Sequence, residues 1–389
     1  MKKIISILTA TRAEYGLLKP IITKLNTVGE FDVRIVATGA HLSPEFGLTY
    51  KEIEKDGFVI DEKIEILLSS DTPSSISKSM GLAMISFADY FENLNPDLLI
   101  VLGDRYETLA VASTAMNQRI PIAHLYGGET TEGAIDESIR HAITKLSYLH
   151  FTSTDEYRKR VVQLGEYPER VYNVGAIGIE NILNEKLLQK EELENELNIS
   201  LSKPYAVVTF HPVTLENNSS EKQIESLLEV CKEYKNLDFI FTKANADAEG
   251  RIINQFIDNY AKENDNIFAF TSLGVRRYLS ALKYCSVVIG NSSSGLLEAP
   301  SFGIPTLNIG DRQKGRLQAS SVINCEPTQE SIHQALDLAL SDKFAQEAKK
   351  TVNPYGEGDT SNKVVEVIKE YVFNNKIDLK KKFYDCEVK

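Results

Sequence analysis

The stretch Ser286-Val287-Val288-Ile289-Gly290-Asn291-Ser292-Ser293-Ser294-Gly295-Leu296-Leu297-Glu298 passes from an apolar run, through a cluster of small residues, to a second apolar segment that ends on a carboxylate. It reads as a buried strand, a tight turn and the start of a helix. Such a junction suits a diphosphate. Small side chains let the anion reach the backbone, the first helical turn presents N–H groups that no intrahelical carbonyl takes, and the helix dipole adds positive charge. Glu298 falls about one turn further in, within reach of a ribose. A second reading makes the serines plain helix caps, and this stretch alone does not separate the two.

Working outward, short apolar runs ending in turn residues recur at Ile4 to Leu8, Val33 to Ala37, Leu98 to Leu102, Ile120 to Leu125, Val207 to Phe210, Phe239 to Thr242 and Thr306 to Ile309. These read as parallel strands buried on both faces. Between them lie segments with helical spacing, such as Leu17, Ile21 and Leu25, or Ile135, Ile139, Ala142, Ile143 and Leu146. The alternation predicts an α/β fold. The strand pattern restarts after a charged helical stretch, Leu187 to Leu197, so a boundary is expected between Ala176 and Lys203. The expected domains are 1–180 and 181–373, followed by a charged, exposed tail at 374–389. Within the second, the helix-like Ser361 to Phe373 is a candidate to pack back on the first. Two Rossmann-like, doubly wound halves would face each other across a cleft, with functional residues at the carboxyl ends of their strands.

With 389 residues, 42% hydrophobic and 25% charged, the composition is that of a globular protein, and no stretch approaches the ~20 apolar residues of a membrane helix. Four scattered cysteines, Cys231, Cys285, Cys325 and Cys386, indicate neither a zinc site nor a disulfide framework, and a cytoplasmic address is expected. The net charge of -12 argues against nucleic acid or an anionic membrane as partner.

Candidates for chemistry cluster at the strand ends. After the first strand comes Thr9-Ala10-Thr11-Arg12-Ala13-Glu14-Tyr15-Gly16, not the Gly-x-Gly-x-x-Gly of a dinucleotide site, so NAD and FAD are disfavoured. Arg12 is either a phosphate ligand or a solvated side chain. Gly103-Asp104-Arg105 puts a carboxylate and a guanidinium at one strand end, and Tyr126-Gly127-Gly128-Glu129 puts a carboxylate beyond another. Asp136 and Arg140, four residues apart, share a helix face. Each carboxylate alone is compatible with surface charge, and Asp104 also with a cap. Three after strand ends of one domain make a stronger case. In the second half, Val207-Val208-Thr209-Phe210-His211-Pro212-Val213-Thr214 places His211 at a strand end, whereas His41, His124, His150 and His333 read as structural. Asn308-Ile309-Gly310-Asp311-Arg312-Gln313-Lys314-Gly315-Arg316 is a local cationic patch on an acidic chain. No serine-hydrolase, zincin or P-loop signature is present.

These motifs, with Ile135-Asp136-Glu137-Ser138-Ile139-Arg140-His141-Ala142-Ile143-Thr144-Lys145, together resemble the hydrolysing UDP-N-acetylglucosamine 2-epimerases of sialic-acid biosynthesis. The resemblance runs in order from Arg12 to about Pro354. It implies a GT-B architecture, assembly as a homodimer or homotetramer, and a UDP-sugar substrate, with no cofactor or metal. The family's catalytic carboxylates match Asp104, Glu129 and Asp136, with His211 near the pyrophosphate. Its UDP-binding positions match Arg12, Arg105, Ser292, Ser293, Ser294, Glu298 and Arg312. Non-hydrolysing relatives read His-Val-Glu-Ala-Gly where this chain has His124-Leu125-Tyr126-Gly127-Gly128. The implied reaction releases UDP, passes through a 2-acetamidoglucal and adds water to give N-acetylmannosamine. Alternatives are the same reaction on UDP-N,N'-diacetylbacillosamine for legionaminic acid, a GT-B glycosyltransferase, or a nucleotide-sugar sensor without turnover.

Overall fold

The computed structural model describes residues 2–68, 72–130, 135–212, 220–243 and 250–387. The chain forms two compact units, one of Met1–Asn181 with Tyr355–Lys389 and one of Ile182–Pro354. In the first, seven strands run as β1 (Lys3–Thr9), β2 (Phe31–Thr38), β3 (Ile60–Ile64), β4 (Leu98–Leu102), β5 (Ile122–Leu125), β6 (Leu149–Thr152) and β7 (Val171–Asn173). Their order across the sheet is β3-β2-β1-β4-β5-β6-β7, and each pairing is parallel. The order reverses between β1 and β4, which marks the switch point where open α/β sheets receive ligands.

Period-two alternation assigns the side chains of these strands to two cores. Ile5, Ile7, Leu98 and Ile100 face one set of helices, and Leu8, Val36, Leu99 and Val101 face the other. Because both faces are covered, the strands carry almost unbroken apolar sequence. The helix Ile135–Leu146 buries Ile139 and Ile143 but leaves Ile135 79% exposed, so its apolar stripe begins one turn later than its sequence suggests.

The second unit repeats the plan with β8 (Tyr205–Thr209), β9 (Asp238–Thr242), β10 (Ile267–Phe270), β11 (Val287–Gly290), β12 (Thr306–Ile309) and β13 (Val322–Cys325). Their parallel order is β10-β9-β8-β11-β12-β13, with the reversal between β8 and β11. No helix among the described residues is long and apolar enough to cross a membrane.

The chain returns to the first unit at Tyr355, earlier than the 373 of the sequence reading. Three contacts account for this. Glu180 accepts from the Ser361 N–H at 2.6 Å and the Ser361 hydroxyl at 2.5 Å. Phe373 stacks on Phe31 at 5.0 Å. The helix Thr360–Phe373 packs beside Arg12–Thr27. The following segment is largely exposed, as its charge predicts, but it is fastened. Lys381 Nζ donates to the carbonyls of Lys145 at 2.9 Å and Ser147 at 2.6 Å, at the end of the Ile135–Leu146 helix, and to Glu166 Oε1 at 2.9 Å.

Glu166 is wholly buried and also meets Lys145 at 2.6 Å and His150 at 3.1 Å. Burial alone raises a carboxyl, but His150, Lys145 and Lys381 outweigh it and hold Glu166 down to about 2. A carboxylate depressed below its unfolded value stabilises the fold above that value, and the contribution is lost as pH falls from about 4.5 to about 2. Glu166→Gln is expected to lower stability at neutral pH by on the order of 2–3 kcal/mol and to flatten the acid limb of a denaturant-melt pH profile across that window. An unchanged acid limb excludes this role for Glu166.

Candidate active site

Arg12, Asp104, Arg105 and Glu129 follow β1, β4 and β5, three adjacent strands, so the first unit gathers them along the carboxyl edge of its sheet. Asp136 stands in the first turn of the helix Ile135–Leu146. The organising side chain is Arg140, one turn further along that helix and only 3% exposed. Its guanidinium forms a close ion pair with Asp104, donates at 2.8 Å to the carbonyl of Glu129 and reaches Glu137 at 3.2 Å. Five donors in a rigid fork fit this work, which a lysine cannot duplicate. Glu129 Oε1 also accepts from Ser153 at 2.8 Å. Burial raises the Asp136 carboxyl; Arg105 opposes the shift and Glu107 adds to it.

Backbone geometry places these groups. Gly128 has φ +81°, and a Cβ there would lie 2.3 Å from the Tyr157 carbonyl, so no other residue allows the turn that delivers Glu129. His124 Nε2 donates to the Gly103 carbonyl at 2.8 Å, fixing the turn that carries Asp104. Its burial pulls it down to about 3, which leaves a neutral ring. The structural reading of His124 therefore includes a positioning task. Arg12 is exposed and pairs with Glu52 at 3.3 Å. Arg105 is held by Glu107 through contacts of 3.2 and 3.0 Å.

In the second unit, His211 follows β8, the serine turn follows β11 and Arg312 follows β12, again on adjacent strands. Val213 and Thr214, part of the His211 motif, lie outside the described residues. Asn291, fully buried, ties this edge together. Its Oδ1 accepts from the His211 N–H at 2.7 Å, its Nδ2 donates to the His211 carbonyl at 2.8 Å, and its own carbonyl accepts from Arg312 at 3.0 Å and Gln313 at 2.9 Å. Gly290, with φ +131°, lets β11 pass so close to β8 that a Cβ would stand 1.9 Å from the Thr209 carbonyl.

The helix after the turn is shorter than its sequence predicts. It spans only Ser294–Leu297 and gives way to a 3-10 turn at Ala299–Phe302 that contains Pro300, so its dipole contributes little. The unpaired backbone donors lie instead in the turn. The N–H groups of Ser292 and Ser293 donate to no described residue, and the Arg312 guanidinium stands beside them on the Asn291 carbonyl. Tyr278 donates to Ser294 at 2.7 Å, and Ser294 donates in turn to Glu298, whose carboxyl burial raises. These bonds fix the Glu298 side chain against the turn.

Sequence reasoning passed over Asn291, Gln313, Tyr278 and Glu107, and noted Arg140 only as a helix-face neighbour of Asp136. The available signals were a lone Asn between the glycine and the serines, and an arginine at an otherwise apolar helical position. Among the described residues no cluster of His, Cys, Asp or Glu is arranged to hold a metal ion.

Residues 23–369 match the family model described as UDP-N-acetylglucosamine 2-epimerase. The chain is 47% identical over 346 residues to the GDP/UDP-N,N'-diacetylbacillosamine 2-epimerase (hydrolyzing) of Campylobacter jejuni, covering 89% of each. It is 41% identical over 386 residues to the polysialic acid biosynthesis protein P7 of Escherichia coli, covering 99% of this chain and 98% of that one. Its fold is that of the UDP-GlcNAc 2-epimerase from Neisseria meningitidis bound to UDP-GlcNAc, with a TM-score of 0.83 at 19% identity over 95% of this chain and all of that one. The fold class is therefore GT-B-like, with two doubly wound α/β units.

Asn291→Ala would strip both backbone groups of His211 of their partner inside a packed edge. The expected loss is about 2 kcal/mol of stability, measured by denaturant unfolding, together with weaker binding of inorganic pyrophosphate. A variant as stable and as avid as wild type overturns the role given to Asn291.

Proposed function

The chain belongs to the UDP-N-acetylglucosamine 2-epimerase family, and from that premise we propose that it catalyses hydrolysing 2-epimerisation of a nucleotide-diphosphate 2-acetamido sugar. The observation that carries this reading is that buried Arg140 holds Asp104 and the backbone of Glu129 together at one sheet edge, with Asp136 one turn before Arg140 on its helix. Inverting C2 requires a proton to leave from one face and another to arrive on the opposite face, so two acid-base groups are needed.

The C2 hydrogen is not next to a carbonyl, and a free carbanion there is too costly. Its removal is therefore coupled to breakage of the C1–O bond. One carboxylate takes the C2 proton, the nucleoside diphosphate departs with the C1–O electron pair, and a 2-acetamidoglucal remains. A second carboxyl then protonates C2 from the other face while water adds at C1 and gives up its proton. Asp136, whose carboxyl burial raises, is suited to carry a proton in one of these steps. In this reading the Ser292 and Ser293 N–H groups, His211 and Arg312, together with Arg12 and Arg105, stabilise the charge that grows on the departing diphosphate. Each well-placed donor of this kind contributes typically about 3 kcal/mol. Ser294 and Glu298 hold the ribose.

For the sugar we propose N,N'-diacetylbacillosamine, favoured by the 47% identity to the Campylobacter jejuni enzyme. N-acetylglucosamine is the second reading, favoured by the 41% identity to the Escherichia coli polysialic acid protein. The two sugars differ around C4 and C6.

Proton and phosphorus NMR in heavy water, with the UDP- and GDP-linked forms of each sugar, tests both levels. Free nucleoside diphosphate and a 2-epimerised sugar with deuterium at C2 are expected, and the faster substrate names the sugar and nucleotide. Absence of both diphosphate release and C2 exchange refutes the reading. Asp104→Asn, Glu129→Gln and Asp136→Asn are each expected to lower kcat by roughly 100-fold or more while UDP still binds, and full activity in any one removes that residue from the mechanism.

A further inference from the structure

The first turn of the helix Arg12–Thr27 contains a carboxylate that the mechanism leaves unused. Glu14 is only 7% exposed. Its Oε2 completes a capping box, accepting the N–H of Ala10 at 2.7 Å and of Thr11 at 3.2 Å. Its Oε1 is buried and meets no hydrogen-bond donor among the described residues. The cationic group facing that oxygen is the Arg105 guanidinium, with Nε at 3.9 Å.

Arg105 is already engaged. Glu107, 1% exposed at the start of the next helix, grips it through two contacts. The cluster thus sets two buried carboxylates against one guanidinium, and Asp136 adds a third acid that both Arg105 and Glu107 influence. Arg12, on Glu14's own helix, points to Glu52. His41, on the neighbouring 3-10 turn, is pulled down to about 4 by burial and stays neutral near pH 7. An anion that docks on Arg105 therefore meets an excess of negative charge, and two like charges at close range in a poorly solvated site repel strongly. The least costly relief is a proton on the one oxygen that has no donor to lose.

We propose that Glu14 couples ligand binding to proton uptake: when an anionic diphosphate engages Arg105, Glu14 Oε1 takes a proton from solvent, and affinity for the diphosphate falls as pH rises above neutrality. The inference rests on the reading of Arg105 as a diphosphate ligand. Burial supports it, since it pushes the Glu14 carboxyl up to about 7, with the Ala10 N–H and Arg105 opposing and Glu107 adding. The sign follows directly. A bound anion raises the Glu14 value further, so the complex holds more protons than the free protein, and mass action then weakens binding as protons become scarce.

The test is calorimetric titration of the full chain with UDP between pH 6 and 8.5, in buffers of different ionisation enthalpy, comparing wild type with Glu14→Gln. Glutamine keeps an acceptor for the Ala10 and Thr11 N–H groups and matches the shape of the protonated acid. The wild type is expected to take up roughly 0.3 to 0.5 proton more per UDP near pH 7 than the variant, a difference that removes the proton exchange of UDP itself. Its affinity is expected to fall more steeply with pH, by at most about tenfold per unit for one proton. Equal proton counts and equal slopes overturn the inference, because a purely capping role for Glu14 would change stability or affinity without changing the pH slope. Should the variant fold poorly, carbon NMR titration of glutamate carboxyls in the wild type gives the same answer: the Glu14 midpoint must move up when UDP is added, and an unmoved midpoint refutes the coupling. If UDP binds but Arg105→Ala leaves its affinity unchanged, it is the placement of the diphosphate that fails.

Discussion

A parallel strand covered on both faces cannot expose a polar side chain until it ends. That constraint governs both units of this chain. The runs Leu98 to Leu102 and Ile122 to Leu125 are buried throughout, and the first residues free to carry charge are those just beyond them, among them Asp104, Arg105 and Glu129. Because β1, β4 and β5 are neighbours, residues more than a hundred positions apart in the sequence share one edge. The second unit does the same with β8, β11 and β12. The chemistry follows from the topology: side chains at a strand's carboxyl end are brought together by hydrogen-bonded backbone, at no cost in additional loop ordering.

Arginine shared between acids is the second recurring device. Arg140 sits among Asp104, Glu137 and the Glu129 carbonyl, and Arg105 between Glu107 and Glu14. In each case a guanidinium holds carboxylates near one another that would otherwise repel. The two differ in exposure. Arg140 is buried and its task is positional, whereas the Arg105 side chain is 43% exposed and open to a ligand. Burial raises the carboxyls of Asp136 and Glu14 in this setting, Glu107 adds to both shifts and Arg105 opposes them.

The long central strands and their turn residues were readable from sequence because burial on both faces writes continuous apolar runs. The strands that escaped reading are short or at sheet edges. Val171–Asn173 has three residues, and Ile60–Ile64 at one edge interleaves Asp61, Glu62 and Lys63 with its apolar ends. Such strands form because a neighbour offers a ladder, which local pattern does not record. The site divides along the same line. Charged candidates at strand ends stood out, whereas Asn291 and Tyr278 act through tertiary hydrogen bonds to His211 and Ser294, and nothing in their local sequence announces those partners. The Ser292–Ser294 stretch differs from its sequence reading in one respect: the N–H groups of Ser292 and Ser293, which donate to no described residue, belong to a turn, and the helix behind them stops after one turn.

The interrupted chain path bears on how the first unit is completed. The helix that begins at Arg12 buries Leu18, Ile21 and Leu25 in a core that also contains Val364, Val365 and Ile368. Those residues come from the helix Thr360–Phe373, translated after the whole second unit. The core behind Arg12 and Glu14 therefore closes only when the last part of the chain arrives, through contacts of very high sequence separation that form slowly and late. The second unit draws its strands and core from one continuous segment and has no such dependence. Lys381 extends the logic to the far end of the Ile135–Leu146 helix, where it takes up the Lys145 and Ser147 carbonyls and reaches Glu166. A segment that looks like a dispensable charged tail thus fastens the helix whose opposite end presents Asp136 and Arg140, so the carboxyl-terminal residues belong to the framework of the candidate site.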